Sequence, residues 1–315
     1  MMVTEERMMR DTYVDLLIEY AKLDPRIVLV EADLMKAAGT LRFQEEFPDR
    51  AVDVGVQEAS MIGVAAGMAA MGKIPFTHSF TAFASRRVCD QVTLSVAYAD
   101  LNVKMMGSDP GITAELNGGT HMSMEDVAIM RNIPGMMIVE PVDSAQLREL
   151  FPQILNHPGA VYIRLMRKNA VKIYDDAKGQ TLGKGVLLRP GKDVTIVATG
   201  ILVAQAMEAA KELAAAGIDA ELIHMHTIKP LDTELLLQSV GKTGAVVTAE
   251  NHSIINGLGS AVAECISENC PVPLRRIGVR DHFGEVGSTA YLMEKYGMTH
   301  DKIVQAAMAA VAMKR

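Results

Sequence analysis

Short apolar runs alternate with amphipathic segments along most of the 315-residue chain. A capped amphipathic helix is predicted from Thr4 to Tyr20, and Asp24-Pro25 ends it. Apolar runs of strand length follow in the first half at residues 27–30, 74–76, 103–106, 136–139 and 161–163. The segments between them that have helical spacing are residues 60–71, 85–97, 124–131 and 144–155. Because such alternation builds βα units around a mostly parallel sheet, the first half is predicted to be an α/β domain.

The alternation is interrupted between about Lys168 and Asp193, where Lys, Asp, Gly and Pro dominate. A second series then begins, with strands predicted at residues 194–198, 220–224 and 245–248 and helices at 201–215, at 232–240 and from 258 onward. We therefore predict two α/β domains. Residues 1–170 form the first, with a mostly parallel sheet, residues 171–192 form a linker, and residues 193–315 form a smaller second domain.

Composition and charge argue against several classes of protein, among them nucleic-acid-binding, secreted and membrane proteins. Hydrophobic residues make up 49% and charged residues 22% of the sequence, which is typical of a soluble globular protein. The formal net charge is −7 and no basic stripe is present, so a nucleic-acid partner is not expected. Residues 1–10 lack the apolar core of a signal peptide, and no apolar run reaches membrane-spanning length. The three cysteines have no zinc-ligand spacing, and we expect a cytoplasmic protein with no membrane partner and no metal site of its own.

One carboxylate and two aromatic side chains come directly after predicted strands. Glu58, in the sequence Gly-Val-Gln-Glu-Ala, stands where a strand gives way to an Ala- and Gly-rich helix. Ligands of parallel sheets bind at the carboxyl ends of strands, although a first-turn acid can simply interact with the helix dipole. Phe80 and Phe83 either pack in the core or offer an apolar wall on which a heteroaromatic ring stacks.

A glycine-rich loop begins at Ser108-Asp109, passes through Asn117 and ends at His121. Glycine lets the backbone approach a ligand closely, and a histidine at the end of such a loop is a candidate acid or base at neutral pH. The alternative is that His121 is an ordinary loop histidine.

The order of these motifs resembles that of the transketolase family. The motifs similar to its pyrimidine-binding domain are Gly-Val-Gln-Glu-Ala at 55–59, Phe-Thr-Ala-Phe at 80–83, Gly-Gly-Thr-His at 118–121 and Glu-Asp-Val-Ala-Ile-Met-Arg at 125–131. Those similar to its C-terminal domain are Thr-Gly at 199–200, His-Thr-Ile-Lys-Pro-Leu-Asp at 226–232, Glu-Asn-His at 250–252 and Gly-Leu-Gly at 257–259. The resemblance covers essentially the whole chain.

The resemblance implies a thiamin diphosphate site and a role for each matched residue. Glu58 is expected to contact N1′ of the aminopyrimidine and to favour the tautomer that activates the cofactor. Phe80 and Phe83 are expected to pack against that ring, and Asp33 and Arg86 fall at cofactor-side positions. His121 is expected near the reacting carbon, where it handles the hydroxyl or oxyanion of a ketose donor.

Substrate-side positions agree with the family pattern only in part. Arg167 and Arg10 match positions that grip a sugar phosphate, for which a bidentate guanidinium is suited. Asn117 stands where the family has an aspartate, and a second substrate-handling histidine is replaced near Ser108 or Asp109. Arg86 stands where a tyrosine is expected, and Ala37, beside Lys36, stands where a phosphate-contacting serine is expected. These departures leave open whether the donor is an ordinary sugar phosphate.

No Gly-Asp-Gly sequence occurs in the chain. In the family this motif, with a downstream Asn, holds Mg²⁺ and the diphosphate, and oxygen ligands are the usual ligands of Mg²⁺. The resemblance therefore implies a split transketolase, in which a partner N-terminal subunit supplies Gly-Asp-Gly and the Asn. An α2β2 heterotetramer with the cofactor between unlike chains is expected, acting on a small sugar or sugar phosphate.

Three alternatives remain open from the sequence. The chain could be the β subunit of a 2-oxo acid dehydrogenase E1, which shares both domains and the activating glutamate. It could act in a decarboxylative ligation like that of deoxyxylulose phosphate synthase, although that enzyme is normally one long chain. It could also be a non-catalytic regulatory subunit, against which the retention of Glu58 argues.

Overall fold

A computed structural model describes residues 3–314, and these residues form two α/β domains. The strands of the first domain are β1 (Thr4–Met8), β2 (Ile27–Glu31), β3 (Ala51–Asp53), β4 (Ile74–Phe80), β5 (Lys104–Ser108), β6 (Met137–Val139), β7 (Val161–Leu165) and β8 (Asn169–Val171). Its helices are α1 (Met9–Leu23), α2 (Met35–Ala38), α3 (Leu41–Glu46), α4 (Glu58–Ala70), α5 (Thr81–Ala84), α6 (Cys89–Gln91), α7 (Asp126–Arg131) and α8 (Ser144–Asn156).

The second domain is smaller and has the same two kinds of element. Its strands are β9 (Val186–Arg189), β10 (Val194–Ala198), β11 (Ala220–His224), β12 (Thr227–Lys229), β13 (Val246–Ser253) and β14 (Leu274–Val279). Its helices are α9 (Leu202–Ala215), α10 (Thr233–Thr243), α11 (Leu258–Asn269), α12 (Thr289–Tyr296) and α13 (His300–Val311).

The sheet of the first domain has six parallel strands in the order β6-β7-β5-β4-β2-β3. Its central strands are buried on both faces, as expected for a parallel sheet covered by crossover helices. The register places Phe80 opposite Ser108 and Ser108 opposite Leu165, so three neighbouring strands end at the same level. The segments that follow these strands therefore meet at one edge of the sheet.

The sheet of the second domain has the order β14-β13-β10-β11-β9. Four of its strands are parallel, and β9 joins the edge antiparallel to β11. Strand β9 lies within residues 171–192, the segment predicted to be a linker. Strand β12 leaves this domain and pairs antiparallel with β6, where it extends the first sheet to seven strands.

A buried arginine connects the two domains. The guanidinium of Arg164 donates to Asp126 (Nε to Oδ2, 2.8 Å), to Glu140 (Nη1 to Oε1, 2.6 Å) and to the carbonyl of Asn251 in the second domain (Nη2, 2.6 Å). Burial raises the pKa of the Glu140 carboxyl, and the guanidinium of Arg164 opposes that rise. Thr199 of the second domain donates to the other oxygen of Glu140 at 2.9 Å. The domain contact is therefore a hydrogen-bonded charge network rather than an apolar patch alone.

Three sequence-based expectations need correction. The helix predicted from Thr4 begins only at Met9, because residues 4–8 pair as β1 with β8, a partner that is distant in sequence. The single helix predicted at 85–97 is divided into a 3-10 turn, the short helix α6 and a π-helical turn at Val92–Ala97. Strand β3 was missed, since its three residues alone carry no clear pattern. No helix within residues 3–314 is long and apolar enough to cross a membrane.

We expect Arg164→Met to lower the free energy of unfolding by about 3 to 5 kcal/mol, because it leaves two buried carboxylates without their cation. The measurement is urea unfolding followed by circular dichroism. Arg26→Met is the matched control, since Arg26 pairs with Asp24 on the surface, and its unfolding midpoint should not move. A midpoint for Arg164→Met equal to that of the control would contradict this account of the domain contact.

Candidate active site

The carboxyl edge of the first sheet gathers most of the residues that the sequence singled out. Asp33 follows β2, Glu58 follows β3, Phe80 ends β4, Asp109 follows β5 and Arg167 follows β7. Parallel strands end together at this edge, so residues far apart in sequence become neighbours.

Glu58 is the first residue of α4, and its side chain is buried. Its Oε1 accepts a hydrogen bond from Nη1 of Arg87 at 2.7 Å. The same guanidinium lies over the ring of Phe83, with Cζ 3.9 Å from the ring centroid. Arg87 thus connects the buried carboxylate to the aromatic residue beside it.

Three rings form a partly exposed wall next to Glu58. The centroids of Phe80 and Phe83 are 6.2 Å apart, and that of His121 lies 5.8 Å from the first and 5.1 Å from the second. All three pairs meet edge to face, an arrangement that aromatic rings favour. Nδ1 of His121 is within hydrogen-bond distance of the Thr120 hydroxyl, at 2.9 Å. The other ring nitrogen, Nε2, is therefore the one that a ligand at the wall can use.

An arginine pair lies on the far side of Phe80. The guanidinium of Arg167 lies over the Phe80 ring at 4.7 Å and forms an ion pair with the buried carboxylate of Asp109, in which Oδ2 is close to two of its nitrogens (Nε, 2.6 Å; Nη2, 2.5 Å). Arg10 and Arg167 both donate to the carbonyl of Ala37, at 2.8 Å and 3.2 Å. A guanidinium therefore lies over each phenyl ring, that of Arg87 over Phe83 and that of Arg167 over Phe80. Each of the two guanidinium groups pairs with a buried carboxylate.

The loop that carries His121 is held in place by the second domain. The Asn251 side chain donates to the carbonyl of Pro110 at 2.8 Å and accepts from the amide of Ile112 at 3.0 Å. Gly111 has φ of 52°, and a Cβ there would lie 2.2 Å from Oδ1 of Asn251, so only glycine fits. A Cβ on Gly119 would likewise lie 2.2 Å from the carbonyl oxygen of Gly284.

Four residues that the sequence predicted for the site are not part of the wall. Asp33 is exposed with φ of 59°, and its amide donates to Asp53 at 2.9 Å. Arg86 pairs with Glu125 at 2.8 Å. The hydroxyl of Ser108 is buried and donates to the carbonyl of Ser79 at 3.3 Å. Asn117 is exposed at the end of the 3-10 turn Gly111–Asn117.

Sequence reasoning missed Arg87 and the carbonyl of Ala37. The Arg86-Arg87 pair was visible in the sequence, but only the backbone geometry decides which of the two reaches Glu58. The carbonyl of Ala37 has no side-chain signal at all. Its role follows from the position of α2 beside Arg10 and Arg167.

The wall suits the pyrimidine ring of thiamin diphosphate. A buried carboxylate beside two phenyl rings matches a flat heteroaromatic ring with a nitrogen to be hydrogen-bonded. Within residues 3–314, no cluster of three or more His, Cys, Asp or Glu side chains is arranged to hold a metal ion. These described residues thus fit the pyrimidine end of the cofactor.

Comparisons with known proteins assign a family to each of the two domains. The model of the transketolase pyrimidine-binding domain matches residues 5–172, and that of the transketolase C-terminal domain matches residues 183–303. A two-domain chain of this kind is the pyrimidine-binding half of a thiamin diphosphate enzyme. The chain belongs to the transketolase family, and it is one subunit of a split transketolase, a transferase.

Three similar proteins are split subunits or sections of transketolases. The 6-deoxy-6-sulfo-D-fructose transketolase subunit SqwH of Clostridium sp. (strain MSTE9) is 71% identical over 96% of this chain and 94% of its own length. A putative transketolase C-terminal section of Methanocaldococcus jannaschii is 42% identical over 95% of each chain. A solved structure described as "Split gene transketolase, inactive beta4 tetramer" superposes with a TM-score of 0.89 at 42% identity, covering 98% of this chain and 99% of the other.

We expect Glu58 and Arg87 to be energetically coupled by about 1 kcal/mol, discounted because Arg87 is partly exposed. The measurement is a double-mutant cycle of Glu58→Gln and Arg87→Met in urea unfolding. The matched control is the exposed pair Arg86 and Glu125, for which the coupling should be close to zero. Equal coupling in the two cycles would show that the Glu58 pair is an ordinary surface contact.

Proposed function

We propose that this chain, together with a partner subunit, transfers a two-carbon ketol unit from 6-deoxy-6-sulfo-D-fructose to an aldose. The observation that supports the proposal is the continuous surface formed by the wall and the charged groups at its two ends, Glu58 at one end and Arg10 with Arg167 at the other. One end of this wall has a buried carboxylate and the other has two guanidinium groups, with Phe83, Phe80 and His121 between them. The naming of the donor rests on the similarity to the SqwH subunit.

Each residue of the wall has a part in the proposed reaction. Bound thiamin diphosphate supplies the electron sink that lets the carbon–carbon bond next to the ketose carbonyl break. Glu58 would hold the aminopyrimidine through a hydrogen bond that shares a proton with its ring nitrogen, and Phe80 and Phe83 would pack against the ring and exclude water. Nε2 of His121 exchanges a proton with the donor hydroxyl, since Nδ1 is already engaged by Thr120. Asp33 and Arg86 complete the cofactor side, and Asn117 the sugar side.

The anionic end of the donor is assigned to Arg10 and Arg167. A sulfonate presents three oxygen acceptors, for which guanidinium donors are suited. Removing the first two carbons of the donor leaves a four-carbon aldose that carries the sulfonate on C4. Ser108, the last residue of β5, and Asp109, the first residue after it, border this end of the site.

The partner is proposed to hold the diphosphate and Mg²⁺ through a Gly-Asp-Gly sequence and a downstream Asn. The lack of Gly-Asp-Gly in this chain supports this division, as does the description of a similar β-type assembly as inactive. We propose an α2β2 heterotetramer with the cofactor between unlike chains. A cytoplasmic location is proposed as well, and the three free cysteine thiols fit a reducing compartment.

The experiment that tests the proposal is a donor panel with the chain co-expressed with a transketolase N-terminal subunit that contains Gly-Asp-Gly and a downstream Asn. The panel contains 6-deoxy-6-sulfofructose, fructose 6-phosphate and pyruvate, with glyceraldehyde 3-phosphate as acceptor and thiamin diphosphate and Mg²⁺ supplied. We expect the sulfonated ketose to give the highest kcat/KM, and only when both chains are present. Turnover of pyruvate alone would replace the proposal by a 2-oxo acid enzyme.

Glu58→Gln should reduce ketol transfer by the complex at least a thousandfold, because the amide cannot replace a carboxylate at the pyrimidine nitrogen. Assembly with the partner should be unchanged in size-exclusion chromatography. Glu45→Gln, which removes an exposed carboxylate of α3, serves as the control and should retain full activity. Near-normal turnover by Glu58→Gln would refute the role assigned to Glu58.

The purified chain alone should bind thiamin diphosphate with a Kd at least a hundredfold weaker than the complex does, since the proposed diphosphate and metal ligands lie on the partner. Isothermal titration calorimetry in the presence of Mg²⁺ measures both values. Removal of Mg²⁺ with a chelator should weaken binding by the complex and leave the weak binding by the lone chain unchanged. Tight binding by the lone chain would overturn the split-site assignment.

A further inference from the structure

The carboxylate of Asp109 lies against the guanidinium of Arg167 from the inside of the protein. Asp109 is only 1% exposed, and its Oδ2 accepts from two nitrogens of Arg167, while its Oδ1 accepts from the Arg167 amide at 3.0 Å. Arg10 approaches the same place through the Ala37 carbonyl, and its buried Nε makes no hydrogen bond to any of residues 3–314. Two guanidinium groups therefore meet at the carbonyl of Ala37, and one of them pairs with a buried carboxylate.

Together, Arg10, Arg167 and Asp109 have a formal net charge of one positive unit. Asp11, Lys36 and Lys168 are charged neighbours of these residues along the chain, and His121 lies against Phe80, the ring that Arg167 covers. Lys168 pairs with Glu115, and Glu31 lies against Thr40 and His78 beneath the α2 segment. Asp11 lies 3.8 Å from Nε of Arg10 and is partly exposed, and Lys36 is exposed, so solvent screens both charges.

We propose that Asp109 is a specificity-determining residue that selects a monoanionic sulfonate over a dianionic phosphate at the end of the ketose donor. This inference rests on the proposed function of the site. Asp109 acts through Arg167: it orients the guanidinium and reduces the positive charge that the substrate meets. A single negative charge is then balanced, whereas the second charge of a phosphate is repelled by the carboxylate.

The chemistry of the two anions makes this selection possible. A sulfonate carries one charge across the whole working range of pH, whereas a phosphate monoester carries about −1.5 to −2 at pH 7, with a second pKa near 6. Charges a few ångströms apart in a partly enclosed site interact several times more strongly than in water. The charge of Asp109 is therefore large enough to decide between two substrates of similar shape.

A merely structural role for Asp109 predicts a different outcome. Asp109 has φ of 53° in the turn after β5, a conformation that Asp and Asn tolerate. If it only shaped this turn, its replacement would impair both substrates to the same extent. The ratio of kcat/KM values for the two donors separates these cases.

The test uses the complete complex with its cofactor, and it compares kcat/KM for 6-deoxy-6-sulfofructose and fructose 6-phosphate. Asp109→Asn should lower the ratio of sulfonate to phosphate kcat/KM at least tenfold, mainly through KM. Asp109→Gly, which also suits a positive φ, removes the same charge by another route and should lower the ratio to a similar extent. Asp49→Asn removes an exposed carboxylate elsewhere, and its ratio should equal that of the wild type.

The pH dependence of the ratio provides a second readout. For the wild type, the ratio should fall as the pH is lowered from about 7.5 to 5.5, because the phosphate becomes a monoanion through its pKa near 6. Ionisations of the free enzyme, including any of His121, affect both donors equally and cancel. In Asp109→Asn, lowering the pH should leave the ratio constant or raise it, since the more positive site then favours the dianion.

Two failures can be told apart. If the wild-type complex does not use the sulfonated ketose, the proposed donor is wrong. If it does, but Asp109→Asn and Asp109→Gly both keep the ratio within about threefold of the wild type, the role of Asp109 is refuted. Equal loss of activity toward both donors likewise refutes it, in favour of a structural role.

Discussion

The guanidinium of Arg164 is fully buried, so its charge must be compensated inside the protein. Asp126 and Glu140 of the first domain supply the negative charge, and the Asn251 carbonyl of the second domain accepts a hydrogen bond from Nη2. Because the network is complete only when the domains are docked, their relative position is fixed by hydrogen-bond geometry. The neighbouring His252 accepts the amide of Ala128 as a neutral imidazole, since burial lowers its pKa to about 4.

The contact between the two domains also positions the loop at the carboxyl edge of the first sheet. The backbone carbonyl of Asn251 accepts a hydrogen bond from Arg164. Its side chain forms hydrogen bonds with the backbone of the residues on both sides of Gly111. The loop that ends at His121 is thus attached to the charge network through a single residue. This attachment explains why the Glu-Asn-His motif of the second domain, which contains no group facing the wall, still belongs to the site. The second domain positions the loop, and the first domain supplies the side chains.

The sequence was sufficient for the two-domain α/β architecture and for most side chains of the wall, and it failed where long-range pairing decides. Alternating apolar runs predicted the buried strands β4, β5 and β7, because each contains a short, mainly apolar run. The same rule could not find β1, whose partner β8 lies more than 160 residues away. Among site residues, Glu58, Phe80, Phe83 and His121 have side chains with chemical signatures. The choice between Arg86 and Arg87 needed the path of the backbone.

The wall contains the same arrangement twice. Arg87 lies over the ring of Phe83 and pairs with Glu58. Arg167 lies over the ring of Phe80 and pairs with Asp109. In each case the carboxylate is buried and the guanidinium reaches toward solvent, so the acid is charge-compensated before any ligand arrives. A ligand placed on the two rings therefore meets one preformed ion pair at each end. With a cofactor ring at the first pair and a donor anion at the second, the distance along the wall fixes how far apart the reacting centre and the anionic tail must lie.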